Sequence, residues 1–307
     1  MKTLWLLIKR NTKMFFRDKG TFFVSLITPI ILLILYVTFL GNVYRNSYAA
    51  GLPEGVNMSK ELMDGLVGSQ LFSSLLAVSC VTVSFCSNLL MVQDKVTGAK
   101  NDLLIAPLGR GKLALSYYVS TFFSTILISL VATIACFIYL AVVGWFMTVV
   151  DVILIFFDVF LLVMFGTALS SVINHFLSSQ GQISAVGSIV SSCYGFICGA
   201  YMPISSFGTG LQKVLSFLPG TYGTSLIRNH AMRGVFEEMK NQGFSNSVVE
   251  SFRSSIDCEI KFFGNTVGIG AMYAIMIVSV LLLISAYVLL NVLAAKKSNN
   301  KQKKNQG

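Results

Sequence analysis

Residues Gln93 to Lys112 read QDKVTGAKNDLLIAPLGRGK, a charged and glycine-punctuated island between two long apolar runs. The run before it ends near Val92 and the next begins near Leu113, so the island meets water at one face of a bilayer. Val96, Ala99, Leu103 and Ala106 fall at i, i+3, i+7 and i+10, which predicts one apolar stripe on a short surface helix. Gln93, Lys95, Lys100 and Asp102 lie largely off that stripe, and Pro107 followed by Leu108-Gly109-Arg110-Gly111 stops the helix. Two readings stand side by side: a docking surface for a soluble partner, and a solvated connector.

Outward from the island the chain is apolar. Of its 307 residues 54% are hydrophobic and only 12% charged, about half the charged share of a soluble domain. An all-α integral membrane protein follows. The formal charge is +10, but the basic residues cluster at a few places, so they report topology rather than nucleic acid. Five of the six cysteines sit in apolar runs and Cys258 in a polar one, with no Cys/His metal spacing. His175 and His230 have no helical i+4 companion, so no metal site is expected.

Residues 1–20 alternate Lys2, Lys9, Arg10, Lys13, Arg17 and Lys19 with apolar side chains, and Leu4, Ile8, Asn11 and Phe15 share a face. This predicts an amphipathic helix in the interface, with a signal peptide as the competing reading. A span follows at Thr21 to Gly41, bent near Pro29. Further spans are expected at Gly68 to Val92, Leu113 to Val143, Val149 to Ile173, Ile183 to Met202 and Thr266 to Ala294, six in all. The N-terminal stretch, the island and the tail at 296–307 hold 15 of the 23 Lys and Arg, which places all three, and both termini, in the cytoplasm.

The largest external segment is 203–265. Its opening, with Pro203, Leu211, Val214, Leu215, Leu218, Pro219 and Tyr222, predicts two short apolar helices broken by proline, a re-entrant or interfacial pair. Ser247-x-x-Glu250 reads as a capping box, and Asn57-Met58-Ser59 matches a glycosylation acceptor.

This layout resembles the type-2 permease family of ATP-binding-cassette exporters, and the local residues carry the likeness. Gln93-Asp94-Lys95-x-Thr97-Gly98 followed by Asp102-Leu103-Leu104-Ile105-Ala106-Pro107 is similar to the family's coupling segment. Gly199-x-x-x-Pro203, Leu218-Pro219 and Thr221-Tyr222 are similar to its signature after span five. The family often has glutamate where this chain has Gln93, and its glycine usually precedes the threonine. The resemblance implies a cytoplasmic elbow helix at 1–20, a six-span permease domain at 21–295 and re-entrant helices before the last span. It implies export of a drug, lipid, glycan or peptide through the plasma membrane, as a homodimer or with a sister permease. ATP and Mg would be used by a separate cassette ATPase subunit, with no cofactor in this chain. No phosphate loop is present, since Ala106 and Leu113 break the Walker pattern around Gly111-Lys112.

Gly187, Ser191, Gly195 and Gly199 recur every four residues in the fifth expected span, a stripe suited to close helix packing or, by the resemblance, to a symmetry mate across the export path. Ser73, Ser84 and Asn88 give the second span a polar face, for a passage or for hydrogen bonds between helices. Asp158 lies inside the fourth span with no evident basic partner, where a structural acid and a proton or cation site are both open. An ion-coupled transporter using Asp158 and a non-transporting immunity or scaffold protein are the alternative functions. No nucleophile and base pair up, so no catalytic residue is expected.

Overall fold

The structure, a computed structural model, describes residues 2–52, 58–105 and 109–305, with side chains to residue 294. Pro107, Ala106 and Asn57 of the expected motifs lie outside the described residues. The first half of the chain is α1 (Lys2–Arg17), α2 (Lys19–Leu35), a π-helical turn (Tyr36–Leu40), α3 (Gly41–Ala50), α4 (Lys60–Val96), α5 (Ala99–Ile105) and α6 (Arg110–Val143). Then come α7 (Val149–Phe176), α8 (Gln180–Ile197), a 3-10 turn (Ile204–Ser206), α9 (Thr209–Leu215), α10 (Pro219–Asn241) and α11 (Asn246–Ser255). A hairpin of β1 (Ile260–Phe262) and β2 (Asn265–Val267) leads into α12 (Ile269–Asn305).

Local chemistry sets the helix ends. Asp18 starts α2 by accepting hydrogen bonds from the Thr21 backbone N–H at 3.2 Å and its hydroxyl at 2.7 Å. Capping boxes open α7 (Thr148 with Asp151) and α8 (Ser179 with Gln182). The cap of α11 is Ser245, whose hydroxyl accepts from Val248 N–H at 3.4 Å, so the expected Ser247-x-x-Glu250 box is not the one formed. The hairpin turn places Phe263 at φ 48° and Gly264 at φ 89°, the paired left-handed geometry of a tight two-residue connection.

The core is built around α4. It is buried along most of its length, enclosed by α2, α6, α7, α8 and α10. The turn from α6 to α7 packs closely on this hub. A Cβ on Gly65 would meet the Phe146 ring at 2.5 Å, and one on Gly234 of α10 would sit 1.7 Å from the Phe146 carbonyl oxygen. All six cysteines are free, five of them buried and Cys193 exposed.

Three expectations are corrected here. Among the described residues five helices, not six, are long and apolar enough to cross a membrane: Lys19–Ala50, Lys60–Val96, Arg110–Val143, Val149–Phe176 and Ile269–Ala294. The fifth expected span is α8, which stops at Ile197 after 18 residues and carries Gln180, Gln182 and four serines. Nor are re-entrant helices identified. Leu218 and Pro219 open the 23-residue α10, which buries Arg228, Asn229 and His230 against α4, α7 and α12. No elbow helix is identified either: α1 turns Leu7, Ile8, Asn11 and Phe15 onto protein, chiefly α6.

Candidate functional site

Two groups of residues stand out, one at the α4–α5 corner and one where α10 meets the spans. At the corner, Gly98 adopts φ 84°, a left-handed conformation that ends α4 and starts the short α5. Leu103 and Leu104 of α5 pack onto a cluster of Leu7, Met91, Leu113, Tyr117 and Tyr287. The other side is open: Val96, Thr97, Asn101, Asp102 and Ile105 are exposed, Ile105 at 84%. Of the expected stripe, Ala99 and Leu103 are half-buried and Val96 faces outward.

The corner is clamped from both sides. Asp94 is buried, accepting from Arg10 Nη1 at 2.8 Å and from the Tyr117 hydroxyl at 2.5 Å, so it ties α1 and α6 to the end of α4. The hydrogen bond to Asp94 raises the Arg10 guanidinium above its ordinary pKa, and burial lowers that of the Lys100 ammonium with help from Arg110. Lys95 donates to the carbonyls of Asn174 at 3.1 Å, His175 at 2.7 Å and Leu177 at 3.2 Å. Those are the end carbonyls of α7, where a cation meets the negative pole of the helix. Gln93 is half-buried beside this clamp. Arg10 and Tyr117 carry no signal of this role in the sequence, because their partner is 84 and 23 positions away.

The second group surrounds Asp158. Its Oδ2 lies 2.6 Å from His230 Nδ1 on α10, and its Oδ1 accepts from the Tyr273 hydroxyl on α12 at 2.6 Å. The His230 and Tyr273 rings stack at 6.2 Å. The acid therefore has a basic partner that sequence proximity does not reveal. Seven residues before it, Asp151 pairs with Arg233 at 2.8 Å, so one face of α7 carries two acids that meet two bases of α10. Arg228, fully buried, donates to the carbonyls of Ile256 at 2.7 Å and Gly199 at 2.9 Å and to Ser74 Oγ at 3.2 Å, with Asp257 at 3.7 Å.

The remaining predicted residues are dispersed. Ser73 and Ser84 donate to the backbone oxygens of Gln70 and Cys80, and Asn88 donates to Ser170 and Ser171 Oγ, each at 3.0 Å, binding α4 to α7. Gly195 lies under the Tyr201 ring, the Ser191 carbonyl accepts from the Tyr201 hydroxyl at 3.4 Å, Gly199 has φ 72°, and Gly187 faces open space. Pro203 precedes the 3-10 turn, Pro219 is in the first turn of α10, and the Tyr222 hydroxyl donates to the Ser216 carbonyl at 2.5 Å. A cavity of about 590 Å³ opens between α3, Tyr201–Ser206 and α11, ringed by Tyr44, Tyr48, Tyr201 and several serine hydroxyls without a charged side chain. Among the described residues no group of three or more His, Cys, Asp and Glu could hold a metal ion.

A family described as ABC-2 type transporter matches residues 2–231, which take in the α4–α5 corner, the Asp158 face of α7 and the start of α10. No match was found among curated proteins. With three quarters of its length under that match and five apolar membrane-length helices among the described residues, the chain belongs to the ABC-2 type transporter family, as a multi-pass permease subunit rather than an enzyme.

Proposed function

We propose that this chain is the membrane half of an exporter, moving a hydrophobic or amphipathic molecule out of the cytoplasm on ATP, with Mg, hydrolysed by a separate cassette subunit. The observation that carries this reading is the corner at the end of α4. Its exposed edge, from Val96 to Ile105, offers a small mixed surface, while Asp94 and Lys95 behind it join that surface to α1, α6 and the end of α7. A push on such an edge is passed to several spans at once rather than absorbed by a loose loop. The corner and both termini then face the cytoplasm, and a homodimer or a sister permease completes the path. The uncharged, tyrosine- and serine-ringed cavity favours an amphipathic cargo.

The test is a mild-detergent pull-down of the chain from its native membrane, with co-purifying ATPase activity measured. A stoichiometric ATPase, lost from the exposed-surface variant D102K/I105D, is the expected result. An ATPase retained by that variant excludes the dock, and a chain that comes down alone where a known transporter complex survives removes the ATP-driven reading.

The Asp158, His230 and Tyr273 cluster favours a second reading, in which a proton drives transport. Flux that follows a pH gradient without ATP, and loses that dependence in Asp158→Asn, selects it.

A further inference from the structure

A groove of about 470 Å³ runs between α2, α4 and α6, lined by Leu26, Pro29, Leu75, Ile128, Val131 and Ala135 among other apolar side chains, with Ser79 as its one serine. On α2 and the π turn it extends from Phe22 to Val37. Fifteen helical steps span about 22 Å. One leaflet of hydrocarbon is about 15 Å deep, so the groove accommodates an acyl chain from the head-group level to the bilayer centre.

Its mouth is charged. Phe16 and Phe22 line the end nearest the α1–α2 junction. Lys13, Phe16 and Arg17 stand at i, i+3 and i+4 on one face of α1, and Lys19 lies one turn before Phe22 on α2. All three cations are exposed and have no ion pair or hydrogen bond among the described residues. Asp18 forms no ion pair with them among the described residues; Thr21 holds its carboxylate below the usual range, so it stays an anion and the mouth keeps an excess of positive charge. Three unpaired cations at the head of an apolar groove complement a phosphate on a hydrocarbon chain, whereas a neutral cargo or a neutral lipid leaves them unanswered.

We infer that this groove holds one acyl chain of an anionic phospholipid, with the phosphate at Lys13, Arg17 and Lys19. The lipid is a resident component of the permease, separate from the transported molecule.

The full-length chain, purified in mild detergent and offered equal amounts of dioleoyl phosphatidylglycerol and dioleoyl phosphatidylcholine, is weighed intact by native mass spectrometry. The expected result is one retained phosphatidylglycerol, favoured over phosphatidylcholine on the order of tenfold. K13Q/R17Q/K19Q brings the two lipids to near-equal retention. Ala135→Trp fills the groove and lowers retention of both. Equal retention by the wild type, or an undiminished preference in the triple variant, overturns the assignment. So does a non-lipid hydrophobic molecule held in the groove, or a dimer that dissociates in Ala135→Trp. The triple variant alters exposed side chains only, so it decides the matter even where Ala135→Trp does not fold.

Discussion

Asp158 Oδ2 and His230 Nδ1 lie 2.6 Å apart in the packed interior, on helices that begin seventy positions from one another in the chain. With Tyr273 on the other carboxylate oxygen, this acid joins α7, α10 and α12. Asp158→Ala strands a histidine and a tyrosine hydroxyl, each at about 1 to 3 kcal/mol. Asp158→Asn keeps an oxygen acceptor for Tyr273 and leaves an amide within hydrogen-bond reach of His230. Thermal unfolding in detergent is therefore expected to fall steeply for the alanine variant and mildly for the asparagine variant. Equal losses would show that the hydrogen bonds do not hold the three helices together.

Glycines separate internal packing from outward surface. Gly234→Ala drives a Cβ against the Phe146 backbone oxygen, where neither partner can move without shifting the α6–α7 turn. The expected loss is about 1 to 3 kcal/mol, by the overpacking route. Gly187→Ala meets open space inside a helix and is expected to leave the monomer as stable, or up to about 1 kcal/mol more stable. Unfolding curves of the two variants, together with the fraction of dimer for Gly187→Leu, check both statements. A destabilised Gly187→Ala would mean that the α8 stripe packs within the protomer.

The positions of the long helices were legible because each apolar run, of α2 continued through the π turn into α3 and of α4, α6, α7 and α12, exceeds what a crossing needs. The α8 reading failed because Ile183, Val186, Ile189 and Val190 dominate a segment whose glutamines and serines lower its average. The polar α10 was missed for the opposite reason. Arg228, His230 and Arg233 look like loop residues until Asp257, Asp158 and Asp151, buried on other elements, pair with them. Asp151 and Asp158, seven apart and so on one helix face, were the one available hint. At the corner, Gly98 and the polar island were readable, but the burial of Asp94 depends on Arg10 and Tyr117 from other helices.

Asp257 gives the stretch from 203 to 265 a pH dependence. Burial pushes its carboxyl above the ordinary value near 3.8, against the opposing pull of Arg228 and of the amides of Ile204 and Ser205. A raised folded pKa means that the stabilising contribution is complete below the unfolded value and is lost as pH rises through the folded one. In Asp257→Asn the amide does not titrate, and asparagine tolerates the left-handed backbone that this position holds at φ 58°. Unfolding of the wild type and Asp257→Asn from pH 4 to 7 is expected to show the wild-type advantage shrinking as pH rises. A difference that stays flat, or grows, reverses the assignment.

Lys95 separates docking from transmission. Its ammonium is held by three carbonyls at the end of α7 and does not belong to the exposed edge of α5. Lys95→Gln removes the cation from that helix end and reaches the carbonyls less completely, at a cost of about 1 to 2 kcal/mol. Because Val96 to Ile105 keep their outward surface, the ATPase is expected to co-purify with this variant as with the wild type. Movement of the corner would then pass poorly to α7, so export falls while ATP hydrolysis continues. Reconstituted vesicles assayed for both activities distinguish the cases. Loss of the ATPase from Lys95→Gln would make the clamp part of the dock, and full export would remove α7 from the transmission path.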